Sequence, residues 1–155
     1  MVELRLATLN DAKLIWEMQV ESFKDLLNKY QDYDANPGNE SIEKVITRLK
    51  QPFTYFYLIV VEKNAVGAIR VIDRKQSETR KRISPIFVLP VYQNRGIAQQ
   101  AMKLAEDIHG TSFWELDTVL QERGNCHLYE KLGYCQAGKP ERINDKMTLV
   151  LYQKD

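Results

Sequence analysis

Ile86-Phe87-Val88-Leu89-Pro90-Val91-Tyr92-Gln93-Asn94-Arg95-Gly96-Ile97-Ala98-Gln99-Gln100 is the stretch on which the fold of this chain depends. An apolar run, Ile83 to Leu89, has strand composition; a short loop passes Pro90, and a helix opens at a glycine flanked by small residues. In that helix Ile97, Ala98, Ala101, Met102, Ala105 and Ile108 share one face, and Gly110 supplies a stop. A helix start carries several backbone N–H groups without intrahelical partners, at the positive end of the helix dipole. It receives phosphate well where no bulky side chain blocks approach. Gly96 and Ala98 leave that clearance, and Arg95 adds a cation. The same glycine also suits a plain strand-to-helix turn, so these residues alone leave both readings open. No G-x-x-x-x-G-K-[ST] or G-x-G-x-x-G occurs among the seven glycines, against a nucleotide triphosphatase or a dinucleotide oxidoreductase.

On the N-terminal side, Val2 to Ala7 alternates as a strand, and Thr8 with Asp11 has the spacing of a capping box. Leu14, Ile15, Met18, Phe23, Leu26 and Leu27 then follow helical spacing to about Lys29. Pro37-Gly38 marks a turn, and Ile42, Val45, Ile46 and Leu49 predict a shorter helix ending before Pro52. Phe53 to Val61 is a buried strand that turns at Glu62 to Ala65 into Val66 to Asp73; a charged hairpin, Arg74 to Arg82, follows. Past Gly110, Phe113 to Leu120 predicts a strand and Asn125 to Leu132 a helix stopped at Gly133. Strands from Tyr134 onward and from Lys146 to Tyr152 close the chain. The order β-α-α-β-β-β-α-β-α-β-β is a mixed α/β fold.

The 155 residues suit one domain, residues 1–155, and 44% hydrophobic residues suffice for a core without disulfide or metal. Twenty-two basic against 21 acidic residues give a net charge of +1, which argues against nonspecific nucleic-acid binding. No stretch nears the roughly 20 apolar residues of a membrane span. The opening strand is no signal peptide, and Cys126 and Cys135 are too few for a disulfide scaffold. A soluble protein of a reducing, cytoplasmic compartment is expected.

Gln93-x-x-Gly96-x-Ala98 after an apolar strand resembles the Gln/Arg-x-x-Gly-x-Gly/Ala signature of the GCN5-related N-acetyltransferase (GNAT) superfamily. Asn125-Cys126-His127-Leu128-Tyr129-Glu130-Lys131-Leu132-Gly133-Tyr134 resembles that superfamily's fourth helix and its Leu-Gly-aromatic corner. The element order matches as well, so the resemblance covers nearly the whole chain. It implies four helices on a mixed, mostly antiparallel sheet of about seven strands, splayed between the fourth and fifth. The splayed pair is then Ile83 to Leu89 with Phe113 to Leu120. Pro85 fits a strand side without a partner, or a bulge.

The resemblance further implies acetyl-CoA as co-substrate, with its diphosphate on Gln93, Asn94, Arg95, Gly96, Ile97 and Ala98 and with Gln99 within reach. Its pantetheine arm would pair near Phe87 and Val88. The Val88 N–H would face the acetyl oxygen, and Tyr129 would face the sulfur as general acid, protonated at neutral pH with an ordinary value near 10. Without the family, Tyr129 is a core tyrosine beside Leu128 and Leu132. Two departures stand out. Seven residues before Tyr129, where many members carry asparagine, stands Glu122; Asn125 sits only four before and either contacts CoA or caps the helix. Six residues before Val88, where some members carry a glutamate base, stands Arg82. Ser84 can order a water instead, with Glu115 and Asp117 as alternatives.

Asp32, Asp34, Glu40 and Glu43 lie between the first two helices, which in the family flank the acceptor; they form an acidic rim for a cationic amine or a solvated loop. Tyr30, Tyr33, Tyr55 and Tyr57 wall an acceptor pocket or fill core and surface, and Arg74, Lys75, Arg80, Lys81 and Arg82 form a basic hairpin tip. His109, and His127 beside Cys126, lack a third ligand at metal spacing, so no metal is expected. The expected activity is N-acetyl transfer to a primary amine of a small molecule or protein by direct attack in a ternary complex, as monomer or homodimer, with no nucleic acid or membrane partner. The alternatives are a non-catalytic acyl-CoA-binding regulatory module and an N-acyltransferase with a longer donor.

Overall fold

The computed structural model describes residues 1–155. Seven strands form one sheet: β1 (Val2–Leu6), β2 (Thr54–Val61), β3 (Asn64–Ile72), β4 (Lys81–Val88), β5 (Trp114–Val119), β6 (Cys135–Arg142) and β7 (Thr148–Lys154). Four helices accompany it: α1 (Ala12–Tyr30), α2 (Ile42–Lys50), α3 (Ile97–His109) and α4 (Arg123–Lys131). The strand order is β1-β2-β3-β4-β5-β7-β6. Every pairing is antiparallel except β4 with β5. No helix is long and apolar enough to cross a membrane.

Helices cover both faces of the sheet, which is why β2 reads as an almost unbroken apolar run. Phe56 and Leu58 bury with Ile15, Met18 and Val45 of α1 and α2. The intervening Tyr57 and Ile59 bury with Ala101, Met102 and Ala105 of α3. The period-two alternation thus feeds two cores from one strand. On α3 the expected stripe holds through Ala105, but Ile108 is 55% exposed and the buried position in the last turn is taken by His109. The β2–β3 turn is tighter than expected. Glu62 (φ 48°) and Lys63 (φ 72°) are both left-handed, the geometry whose twist matches paired strands, so Asn64 and Ala65 already belong to β3. The Thr8–Asp11 box forms, with the Thr8 N–H donating to the Asp11 carboxylate at 2.9 Å.

The basic hairpin tip requires correction. Lys81 and Arg82 are the first residues of β4, and their pairing with Trp114 and Glu115 is the whole of the β4–β5 ladder. Arg82 is held there by ion pairs to Glu115 (2.7 Å) and Asp117, partners more than 30 residues away that strand propensity cannot register. Beyond Arg82 the two strands part. Pro85 sits at this opening and also where the β3–β4 register shifts between Ile69 and Val71, so both of its expected settings occur together.

Candidate active site

The opening between β4 and β5 is roofed by α1, the start of α3 and α4, and it encloses a cavity of about 570 Å³. Ile86, Phe87 and Val88 form its strand wall, Gln93, Asn94, Gly96, Ile97, Ala98 and Gln99 its α3 end, and Asn125, Leu128 and Tyr129 its α4 wall. Most of the expected site residues therefore meet in one place.

The turn before α3 is built for exposed amides. Asn94 (φ 63°) and Gly96 (φ 76°) are both left-handed, a conformation glycine adopts freely and asparagine tolerates. A Cβ on Gly96 would find only the Gln100 Nε2, 3.9 Å away, so the approach is open. The first intrahelical bond is from the Gln100 N–H to the Gly96 carbonyl (3.1 Å), which leaves the Ile97, Ala98 and Gln99 N–H groups for a ligand. Gln93 acts on the turn itself: its Nε2 donates to the Val88 carbonyl at 2.9 Å and ties the loop to the strand. Arg95 does not line the cavity; its guanidinium lies 5.5 Å over the Tyr92 ring.

On β4, the Leu89 N–H donates to the Val66 carbonyl at 2.8 Å, making Val66–Leu89 a hydrogen-bonded pair. Antiparallel alternation then spends the Phe87 backbone on Ala68 and turns the N–H groups of Val88 and Ile86 away from β3, toward the opening. Phe87 accordingly contributes only its ring, edge-on to Phe23 at 5.8 Å between centroids, and Ile86 joins the wall unforeseen.

Tyr129 is buried yet touches the cavity, packed edge-on to Tyr134 at 6.3 Å. Burial, with Cys126 nearby, pushes its hydroxyl up to about 12. No protein group hydrogen-bonds it, and it is not among the sealed-off polar atoms. Asn125 also lines the cavity but does not cap α4, which starts earlier at Arg123.

Other expected residues lie elsewhere. Ser84, Glu115 and Asp117 are not cavity residues; the Ser84 carbonyl accepts from Arg70 (2.8 Å), and both carboxylates are held by Arg82. None of the four acidic residues between α1 and α2 lines the cavity: Asp32 is buried and accepts from Asn36 (3.1 Å), Glu40 pairs with Arg48 (2.7 Å), and Asp34 and Glu43 are exposed, as in the solvated-loop reading. Tyr33 is exposed, and Tyr55 and Tyr57 pack around His109 at the C-terminal end of α3, outside the cavity. His109 is itself core, between Asp73 (2.8 Å) and the Tyr57 hydroxyl (2.8 Å), and burial lowers its pKa. Cys126 is buried, its thiol against the carbonyls of Val119 and Leu120; His127 is exposed, and no His, Cys, Asp or Glu group is placed for a metal.

Of the apolar stripe expected on α1, Phe23 and Leu26 line the cavity, and the polar Ser22, Asp25 and Lys29 beside them join it. Glu122 joins it across the opening, accepting from the Lys29 Nζ at 2.8 Å and from the Tyr30 hydroxyl. Burial pushes its carboxyl up, but those two hydrogen bonds outweigh it and hold the group below the usual carboxylate range. The i, i+3, i+4, i+7 recurrence of 22, 25, 26 and 29 was the available signal.

Solved structures share this architecture. The PaiA N-acetyltransferase of Thermoplasma acidophilum in complex with coenzyme A aligns with a TM-score of 0.77 at 16% identity, covering 100% of this chain and 99% of that one. The spermidine N-acetyltransferase of Vibrio cholerae in complex with CoA and spermine gives 0.75 at 18%, covering 97% and 93%. The ribosomal-protein-S18-alanine N-acetyltransferase of Escherichia coli gives 0.76 at 13%, covering 98% and 92%. Among curated proteins none matches. The model of one family matches residues 14–134, from α1 to the aromatic corner after α4, and the chain belongs to that family, the acetyltransferase (GNAT) family.

Proposed function

We propose that this chain is an acetyl-CoA-dependent N-acetyltransferase, a single acetyltransferase domain over residues 1–155, that acetylates a primary amine by direct attack in a ternary complex. One observation carries the proposal: the free amides at the start of α3, the outward Val88 N–H and the unpartnered Tyr129 hydroxyl share one cavity. Their chemistry fits the co-substrate. The amides of Ile97, Ala98 and Gln99, opened by Gly96, suit a diphosphate, and the thioester supplies an activated acetyl group. The amines acetylated by similarly folded enzymes, spermidine and a ribosomal-protein alanine, are consistent with an amine acceptor.

Each residue then has one task. Val88 donates its N–H to the carbonyl oxygen as charge gathers there. Tyr129 gives its proton to the departing sulfur as the carbon–sulfur bond breaks, and the proton shed by the newly bonded nitrogen returns to the phenolate, so the thiol and the amide leave with the hydroxyl restored. A hydroxyl pushed up to about 12 is fully protonated at neutral pH, so the donor is always loaded. Gln93 keeps the turn and the strand in register through the Val88 carbonyl.

Thiol release from acetyl-CoA across a panel of amines tests the proposal. Binding without release for every amine, and for longer acyl donors, would instead make the chain an acyl-CoA-binding module. Tyr129→Phe is expected to lower kcat by about 10²–10⁴-fold, the usual worth of a positioned proton donor, with acetyl-CoA affinity unchanged by calorimetry. In the native protein kcat/KM rises with pH as the amine loses its proton. An ordinary tyrosine would be half ionised at pH 10; Tyr129 retains its proton there, so no decline from its ionisation sets in below about pH 11. A falling limb centred at pH 10 that vanishes in Tyr129→Phe would contradict the assignment.

A further inference from the structure

We infer that Tyr152 of β7, with Tyr134 at the corner after α4, is a positioning residue that grips the Tyr129 ring and aims its hydroxyl into the cavity. The inference rests on the acetyltransferase reading, in which Tyr129 is the proton donor. Tyr129 needs such support. It stands on α4, a helix of nine residues of which only Cys126 and Tyr129 are buried. A helix that short is marginal by itself and takes its stability from packing. The Tyr129 hydroxyl has no protein hydrogen-bond partner, so its direction depends on what holds the ring.

Two buried rings hold it. Tyr134 stands edge-on to Tyr129 at 6.3 Å between centroids and 63° between planes, and Tyr152 meets it at 6.1 Å and 54°. Aromatic rings attract at these separations and tilts. Tyr134 and Tyr152 are each 1% exposed, and neither lines the cavity. Tyr134 also reaches Tyr129 through the main chain, its N–H donating to the Tyr129 carbonyl at 3.0 Å. Tyr152 lies on a strand paired on both sides, opposite Leu116 of β5 and Gln136 of β6. The grip is therefore anchored in the sheet and does not depend on the short helix.

The hydroxyls of the two supporting rings are committed elsewhere. Tyr152 donates its O–H to the Glu130 carboxylate at 2.8 Å. The Tyr134 hydroxyl is directed at the Glu106 carboxylate, 3.5 Å away, which also accepts from the Lys154 Nζ at 2.7 Å. Of the three phenols, the one at the cavity is thus the one left without a protein partner. Glu130 follows Tyr129 in α4, so Tyr152 fastens the same turn whose ring it touches. A misplacement of about 1 Å can cost about 10²-fold in rate, so a donor ring free to tilt would be a poor one.

A double-mutant cycle on kcat, read by thiol release, tests the inference. Tyr152→Leu is expected to lower kcat by about tenfold or more, with the Kd of acetyl-CoA by calorimetry within about twofold of native, because the α3 amides and β4 are untouched. In the Tyr129→Phe background no hydroxyl remains to be aimed, and the same substitution is expected to change kcat by less than about twofold. Tyr152→Phe keeps the ring and is expected to hold kcat within about threefold of native. Nuclear magnetic resonance of carbon-13-labelled tyrosine reads the grip without activity, the Tyr129 ring signals being identified by their loss in Tyr129→Phe. Separate signals for the two sides of that ring are expected in the native protein, and averaged signals in Tyr152→Leu. An equal fall in kcat in both backgrounds, a native kcat in Tyr152→Leu, or averaged Tyr129 signals in the native protein would overturn the inference. Failure of the native protein to release thiol with any amine would instead remove the acetyltransferase reading, and the ring signals would still report whether Tyr152 holds Tyr129.

Discussion

In Gly67→Ala the midpoint of thermal unfolding is expected to fall by roughly 6–12 °C, and acetyl-CoA binding to fall with it. Gly67 pairs with Val88 across β3 and β4. A Cβ at this position would lie 2.1 Å from the Phe87 carbonyl oxygen and 2.9 Å from the Val88 Cα. Both are backbone atoms and cannot swing aside, so β4 itself must shift. Overpacking a core costs about 1–3 kcal/mol and occasionally more; a displaced strand belongs at the upper end, near 3 kcal/mol. At roughly 2–4 °C per kcal/mol for a chain of this size, that gives the stated fall. The displaced segment is the one that turns the Val88 N–H into the cavity, so stability and function are lost together. A Gly67→Ala protein that melts and binds as the native one does would show that this close approach is not needed.

Gly96→Glu is expected to separate the two properties. The left-handed position costs any side chain about 1–2 kcal/mol, and an acidic residue at a helix start recovers part of it, so the protein stays folded. Acetyl-CoA binding, however, is expected to weaken by about a thousandfold. A carboxylate about 4 Å from a phosphate charge costs about 4 kcal/mol at an effective dielectric of about 20, and 1.4 kcal/mol is about tenfold in affinity. Gly96→Ala, which adds strain without charge into open space, is expected to keep affinity within about tenfold. Calorimetry on the three proteins checks this; equal affinity in Gly96→Glu would place the diphosphate elsewhere.

The parts of this molecule that were legible in the sequence are those governed by local period and turn chemistry. The apolar run of β2, the α3 stripe as far as Ala105, and the turns at Gly96 and Gly110 depend on neighbours a few residues away, and they are found where expected. The misplacements have a common cause in long-range partners. Lys81 and Arg82 look like a charged tip until Glu115 and Asp117 stand beside them on β5. Glu122 was visible as a departure from the family's asparagine, but its role depends on Lys29 and Tyr30 at the far end of α1. Between Asp32 and Glu43 the sequence left an acidic rim and a solvated loop both open, because the partners of Glu40 and Asp32, Arg48 and Asn36, are set by how the chain folds back on itself. Tyr129 differs again: helical spacing places it only on a face with Leu128 and Leu132, and the family's motif was needed to expect it at a cavity.

The central claim is that the amides opening α3 hold the diphosphate of acetyl-CoA and so bring its sulfur to the Tyr129 hydroxyl. A crystal structure of the protein with CoA bound tests this most directly. The account predicts diphosphate density against the N–H groups of Ile97, Ala98 and Gln99, with the sulfur within hydrogen-bond distance of Tyr129. CoA bound elsewhere, or a sulfur directed away from that phenol, would contradict it.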